Sequence, residues 1–164
     1  MTKPNEYLFD TNVFDKLIQV NDISVESLAQ RGFILYATHI QLDEINDIPT
    51  HNEEKANKRK QIRDAYRRLF LEVPTESFVW DVSRWGMSKW SDDDLYEKIR
   101  SDLDKLEKKA NNIEDALIAE TAIKRGFNLV TEDKALTQVT QEHGGQTISF
   151  GEFLQQCNKS SHTN

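Results

Sequence analysis

Tyr7-Leu8-Phe9-Asp10-Thr11-Asn12-Val13-Phe14 is the stretch from which the fold is read. Three apolar or aromatic residues run into an acid, then a hydroxyl and an amide, and apolar periodicity resumes at Val13. That pattern predicts a short buried strand that stops at Asp10 and hands over to a helix. In an open parallel α/β sheet, ligands bind at the carboxyl ends of strands. An acid placed there, followed by small polar side chains, has the position and chemistry of a metal ligand. Asp also stops strands and caps helices in proteins without activity, so the reading depends on finding other acids at equivalent points.

Outward from this stretch, residues 13–20 carry apolar positions that suit a short helix, and Ser24 is a candidate N-cap for a second helix over 25–30 that Gly32 ends. Residues 33–37 form a continuous apolar run of strand length. Thr38 then caps a helix whose core face is Ile40, Leu42 and Ile45, with Asp43 and Glu44 beside it and Pro49 as its stop. The next helix is predicted over 51–71, with an apolar face of Ile62, Tyr66, Leu69 and Phe70. Lys55, Arg59, Arg63 and Arg67 form an i, i+4 row on another face.

Trp80, Trp85 and Trp90 fall every five residues, a spacing that matches neither helix nor strand. They read as core or interface anchors rather than as base-stacking platforms. Asp92, Asp93 and Asp94 after Ser91 mark a solvated helix start. The charged helix that follows, to about residue 110, is expected to lie exposed along one side. Asn111 and Asn112 cap a small-residue helix over 113–125 that Gly126 ends. Residues 128–131 are a strand with Glu132 and Asp133 at its end. A helix (135–142), a strand (147–150), a short terminal helix (151–156) and a polar tail (157–164), expected to be disordered, follow. His39, His51, His143 and His162 show no ligand spacing, and most of them read as surface residues.

At 164 residues the chain is expected to be one domain over 1–156, with a Trp-bearing insertion at about 73–110. No apolar run approaches the roughly 20 residues that span a bilayer. The N-terminus lacks a signal-peptide pattern, and the single Cys157 cannot form an internal disulfide. The expectation is a cytoplasmic protein without membrane contact. A net charge of −7 argues against indiscriminate nucleic-acid binding, but a local basic surface matters more than the sum. The row Lys55, Arg59, Arg63 and Arg67 is the candidate RNA contact. Strands alternating with helices, without hairpin signals, predict a three-layer α/β/α fold around a parallel sheet. Right-handed crossovers then place Asp10 and Asp133 at the same sheet edge.

Asp10, Glu44, Asp115 and Asp133 all sit at element boundaries. Hard divalent cations take oxygen ligands of this kind, and a two-metal site readies a water and stabilises the leaving oxygen in phosphodiester cleavage. Converging carboxylates without an ion repel one another and raise each other's pKa.

Phe9-Asp10-Thr11-Asn12, Glu44 after a short strand, Asp115-Ala116-Leu117-Ile118-Ala119 and Leu129-Val130-Thr131-Glu132-Asp133 together resemble the PIN-domain ribonucleases. That family includes the VapC-like toxins of VapBC-type toxin–antitoxin modules. The resemblance runs from Tyr7 to Leu154. It implies Mg²⁺- or Mn²⁺-dependent RNA cleavage, with one or two ions on Asp10, Glu44, Asp115 and Asp133 and supporting polar roles for Thr11, Asn12 and Thr131. It also implies a protein antitoxin and a homodimer.

The sequence departs from the family pattern twice. Glu132 stands where the family commonly has a small polar residue, and either joins the site or faces solvent. The span from Glu44 to Asp115 is longer than in compact toxins. Two other phosphate chemistries fit less well. A haloacid-dehalogenase-type enzyme needs an acid where Asn12 stands, and a response-regulator receiver needs its acids distributed differently. The remaining alternative is a PIN-fold binding scaffold with little catalysis, against which the presence of all four acids argues.

Overall fold

Alternation along the first strand builds the molecule in two directions. In the computed structural model, which describes residues 3–20, 23–80, 82–83, 85–86 and 93–159, β1 (Glu6–Phe9) sends Tyr7 and Phe9 to one face and Leu8 to the other. This is the period of two expected of extended chain. β2 (Ile34–Ala37) repeats it, with Leu35 and Ala37 opposite Tyr36. β3 (Phe70–Glu72), β4 (Asn128–Val130) and β5 (Gln146–Ile148) complete a five-stranded sheet in the order β3-β2-β1-β4-β5. Every pair is parallel, so all carboxyl ends share one edge. The order doubles back at β1, which makes the crevice beyond the ends of β1 and β4 a topological switch point.

Helices cover both faces, as the alternation of elements predicts. α1 (Phe14–Leu17), entered through a single 3-10 turn, α2 (Val25–Gln30), α4 (Glu53–Leu69) and α8 (Phe150–Lys159) enclose the Tyr7 and Phe9 side. Phe9 is its centre, with the rings of Phe70 and Phe153 each edge-on at 5.0 Å. Burial of an aromatic or aliphatic side chain of this size stabilises by about 1.5–3 kcal/mol. α5 (Leu95–Leu106), α6 (Asn112–Arg125) and α7 (Lys134–Glu142) enclose the Leu8 side. α3 (His39–Asn46) links the two, with Ile40 in one core and Ile45 in the other.

Several expectations are corrected. The helix predicted to residue 71 stops at Leu69, and Phe70–Glu72 pairs with β2 as an edge strand. Phe70 continues the apolar face of the helix and also suits a strand, so periodicity cannot decide between them. α5 is not an exposed rod, because Tyr96, Ile99 and Leu103 form a buried stripe. α8 begins at Phe150 and runs through Lys159, burying Cys157, so residues 157–159 are helical rather than tail.

His39 is buried, its Nε2 3.3 Å from the Val82 carbonyl, and His143 pairs with Asp102 at 2.9 Å. Trp80 and Trp85 are 69% and 74% exposed and therefore not core. Trp90, Ser91, Asp92, His162 and the tail from 160 lie outside the described residues. Among the described residues, no helix is long and apolar enough to cross a membrane.

The buried stripe of α5 can be tested directly. Ile99→Ala should cost about 2–5 kcal/mol, the range for truncating a core aliphatic. Lys105→Ala, on the solvent side, should stay within about 0.5 kcal/mol. Equal urea midpoints for the two variants would contradict the placement of α5.

Candidate functional site

Pairing of β1 with β4 is the first step in building the site. Phe9 lies opposite Val130, and the Asp10 amide donates to the Val130 carbonyl at 3.0 Å. Asp10 and Thr131 are thereby held side by side just past the strand ends. The buried Thr131 hydroxyl donates to Asp10 Oδ2 at 2.8 Å and accepts from the Asp133 amide at 3.1 Å. One hydroxyl thus joins the two acid-bearing strand ends. Asp133 caps α7, its Oδ1 accepting from the Leu136 amide at 3.0 Å, while its Oδ2 lies 3.4 Å from Lys109 Nζ.

Glu44 is brought in by α3. Thr38 and Gln41 form a capping box at that helix's start, with the Gln41 side chain accepting from the Thr38 amide at 2.8 Å. The same side chain donates to the Phe9 carbonyl at 2.8 Å. Gln41 therefore fastens the helix that carries Glu44 to the strand that carries Asp10. Asp115 arrives in the first turn of α6 and is buried. An acid there is favoured by the helix dipole.

The charges of these groups act on one another. Burial raises Asp115 to about 8, with Asp10, Asp133 and Glu44 adding and Lys109 opposing. Burial likewise pushes Glu44 up to about 7, and the charges of Asp10, Glu114 and Asp47 add to it. Asp10 rises to about 6, again through burial first, with the Thr131 hydroxyl and the Thr11 backbone opposing and Asp133 adding. Among the described residues, no three Asp, Glu, His or Cys side chains stand close enough together to hold an ion as they are placed. The acids act on one another through space rather than through shared contact.

The supporting residues divide. Thr131 is central, whereas Thr11 presents its hydroxyl toward Glu44 but has no partner with hydrogen-bond geometry, and Asn12 is exposed. Glu132 is engaged elsewhere: it accepts from the Phe150 amide at 2.9 Å, at the start of α8, and pairs with Lys16 at 3.3 Å. Along α4, Lys55 and Arg67 are exposed and Arg63 partly so. Arg59 donates to the Asn46 carbonyl at 3.2 Å, which brings the basic row beside the end of α3.

Sequence reading missed two residues here. Glu114 lines a cavity of about 380 Å³ with Asp43, Glu44, Asp47 and Val82, and its Oε2 is buried without a partner. Lys109 bridges Glu107 and Asp133. The Glu114-Asp115 pair was a visible signal; for Lys109, in an irregular link, there was none.

A stability consequence follows from the raised pKa values. The folded chain retains protons on Asp10, Glu44 and Asp115 that the unfolded chain releases near about pH 4. Their contribution is complete below that pH and is lost as pH rises through the folded values of about 6, 7 and 8. Without divalent cations, Tm should fall between about pH 5 and pH 8.5, and fall less in an Asp10→Asn/Asp115→Asn variant. Parallel Tm profiles for the two proteins would contradict the coupling.

No family model matches the sequence, and no curated protein matches it. Solved structures do. PAE2754 from Pyrobaculum aerophilum aligns with a TM-score of 0.58 at 19% identity, over 94% of this chain and 90% of that one. VapBC2 from Rickettsia felis, solved bound to a DNA fragment from their promoter, aligns at 0.54 and 18%, over 88% and 98%. VapBC-5 from Mycobacterium tuberculosis, a member of the VapBC family of toxin–antitoxin systems, aligns at 0.51 and 15%, over 89% and 98%. The chain thus has the PIN-like α/β/α fold of these VapBC structures, with a five-stranded all-parallel sheet at its centre.

Proposed function

We propose that the chain is a metal-dependent endoribonuclease of the toxin type. One observation carries the reading: at the switch point of the sheet, the buried Asp10 and Asp115 and the half-buried Glu44 have raised pKa values, each partly through the charge of its neighbours. A cluster of like charges is unfavourable for the apo chain, and a hard divalent cation is the partner that relieves it. The donor set suits such an ion. Every candidate ligand is a carboxylate oxygen, and Glu114 Oε2 and Thr11 Oγ1 are further oxygens left unpaired.

Asp10, Glu44, Asp115 and Asp133 would hold one or two Mg²⁺ or Mn²⁺ after side-chain movement from the positions seen. When bound, the ion supplies Lewis acidity for phosphodiester hydrolysis. The chain's own residues prepare the site. Thr131 fixes the oxygen of Asp10, Gln41 sets the distance between α3 and β1, and Lys109 offers a cation beside Asp133. The row Lys55, Arg59, Arg63 and Arg67 supplies positive charge for the phosphates of RNA, which the net charge of −7 otherwise repels. The VapBC structures that share the fold support a protein antitoxin as a second partner; a homodimer is part of the same proposal and rests on the sequence resemblance alone.

Cleavage of RNA should require Mn²⁺ or Mg²⁺ and stop with EDTA. Asp10→Asn and Asp115→Asn should each lower the rate by at least about a hundredfold, beyond the ten- to hundredfold expected for Thr131→Val, which removes only a partner of a ligand. RNA binding without EDTA-sensitive cleavage would favour the scaffold reading instead.

A further inference from the structure

The segment after β3 is fastened by polar contacts and leaves Trp80 and Trp85 outside. Glu76 pairs with Arg125 at 2.7 Å, the Ser77 hydroxyl donates to Glu120 at 2.7 Å, and Asp93 pairs with Lys124 at 2.9 Å. All three partners lie on the second half of α6. Between these anchors, Trp80 and Trp85 stand 69% and 74% exposed. They are not scattered. Phe78 lies edge-on to Trp80 at 5.4 Å and tilted against Trp85 at 5.2 Å, and the two indoles meet at 6.4 Å with their planes 81° apart. The result is a pair of solvent-facing indoles packed on the half-buried ring of Phe78.

Its position relative to the acids comes from Val82. This residue lies between the two tryptophans in sequence and lines the cavity that holds Glu44 and Glu114. Its carbonyl also faces the ring of His39, at the start of α3. Trp80 is two residues from Val82 and Trp85 three, so each is within about 10 Å of chain from the rim of the acid cleft.

We infer that Trp80 and Trp85, backed by Phe78, form a stacking platform for unpaired bases of a single-stranded RNA whose backbone enters the acid cleft past Val82. The inference rests on the nuclease reading and adds how the substrate is held. Two features favour a base over a protein surface. Among the described residues, two exposed indoles of about 150–250 Å² each fall short of the roughly 800 Å² per partner of a stable protein interface. The groove beside Trp80 is also lined by Glu97, which disfavours a phosphate and leaves the uncharged face of a base as the part that fits. Stacking on an aromatic ring tolerates any base, so the platform gives grip without sequence selection.

The test uses the full chain carrying Asp115→Asn to prevent cleavage. Fluorescence anisotropy follows a short labelled oligoadenylate and its abasic counterpart. Trp80→Ala/Trp85→Ala should weaken oligoadenylate binding at least about tenfold, while Trp80→Phe/Trp85→Phe retains most of it. The abasic probe should bind all three proteins alike, with the same salt dependence. Affinity for oligoadenylate unchanged by the alanine pair, or an abasic probe bound as tightly as the intact one, overturns the platform. So does a parent that self-associates in sedimentation velocity, loses this with the alanine pair, and keeps its RNA affinity. Base-dependent binding through the indoles, in a protein that shows no metal-dependent cleavage, would support the platform while sinking the nuclease reading.

Discussion

The carboxyl ends of two neighbouring parallel strands carry acids that ought to repel each other. β1 delivers Asp10 and β4 leads to Asp133, and the backbone bond from Asp10 to Val130 leaves no freedom to separate the strand ends. α3 and α6 then add Glu44 and Asp115 to the same edge. The two apolar cores meet at this sheet, so the stability of the fold is what holds the charges near one another. Thr131 moderates the arrangement with a single hydroxyl that serves both strand ends.

Such a cluster is expected where function requires it and is otherwise a liability. The place of three of the acids is fixed by their helices: Asp133 caps α7, Asp115 lies in the first turn of α6, and Glu44 lies within α3, which Gln41 ties to β1. Lys109 offsets part of the charge on Asp115 and Asp133. The capping role of Asp133 does not compete with a ligand role, because the cap uses Oδ1 and leaves Oδ2 to meet a cation, here Lys109.

What could be read from sequence was whatever rests on local chemistry. Ser24 and Thr38 cap their helices as expected, Gly126 closes α6 in the left-handed region, and β1 stops at Asp10. The parallel sheet followed from the order of elements. What stayed hidden depends on tertiary partners. Phe70 is strand because β2 offers it a ladder and Phe9 a ring. α5 is buried because the small residues of α6 leave room for Ile99 and Leu103. Buried Gln41, at the start of α3, gave no sign that its amide would reach the Phe9 carbonyl. The tryptophans read as core or interface anchors, and Trp80 and Trp85 are not core because Glu76, Ser77 and Asp93 do the anchoring to α6.

If Asp10, Glu44, Asp115 and Asp133 hold a hard cation as proposed, proton release on metal binding measures it most directly. Because bound ligands must be deprotonated, Mn²⁺ should displace the protons held by Glu44 and Asp115, which have pKa values of about 7 and 8. Calorimetric titration with Mn²⁺ at about pH 7, in buffers of different ionisation enthalpy, should show about one to two protons released, falling toward zero near pH 9. Binding that releases no protons at neutral pH, or release that persists unchanged in the Asp10→Asn/Asp115→Asn variant, would contradict it.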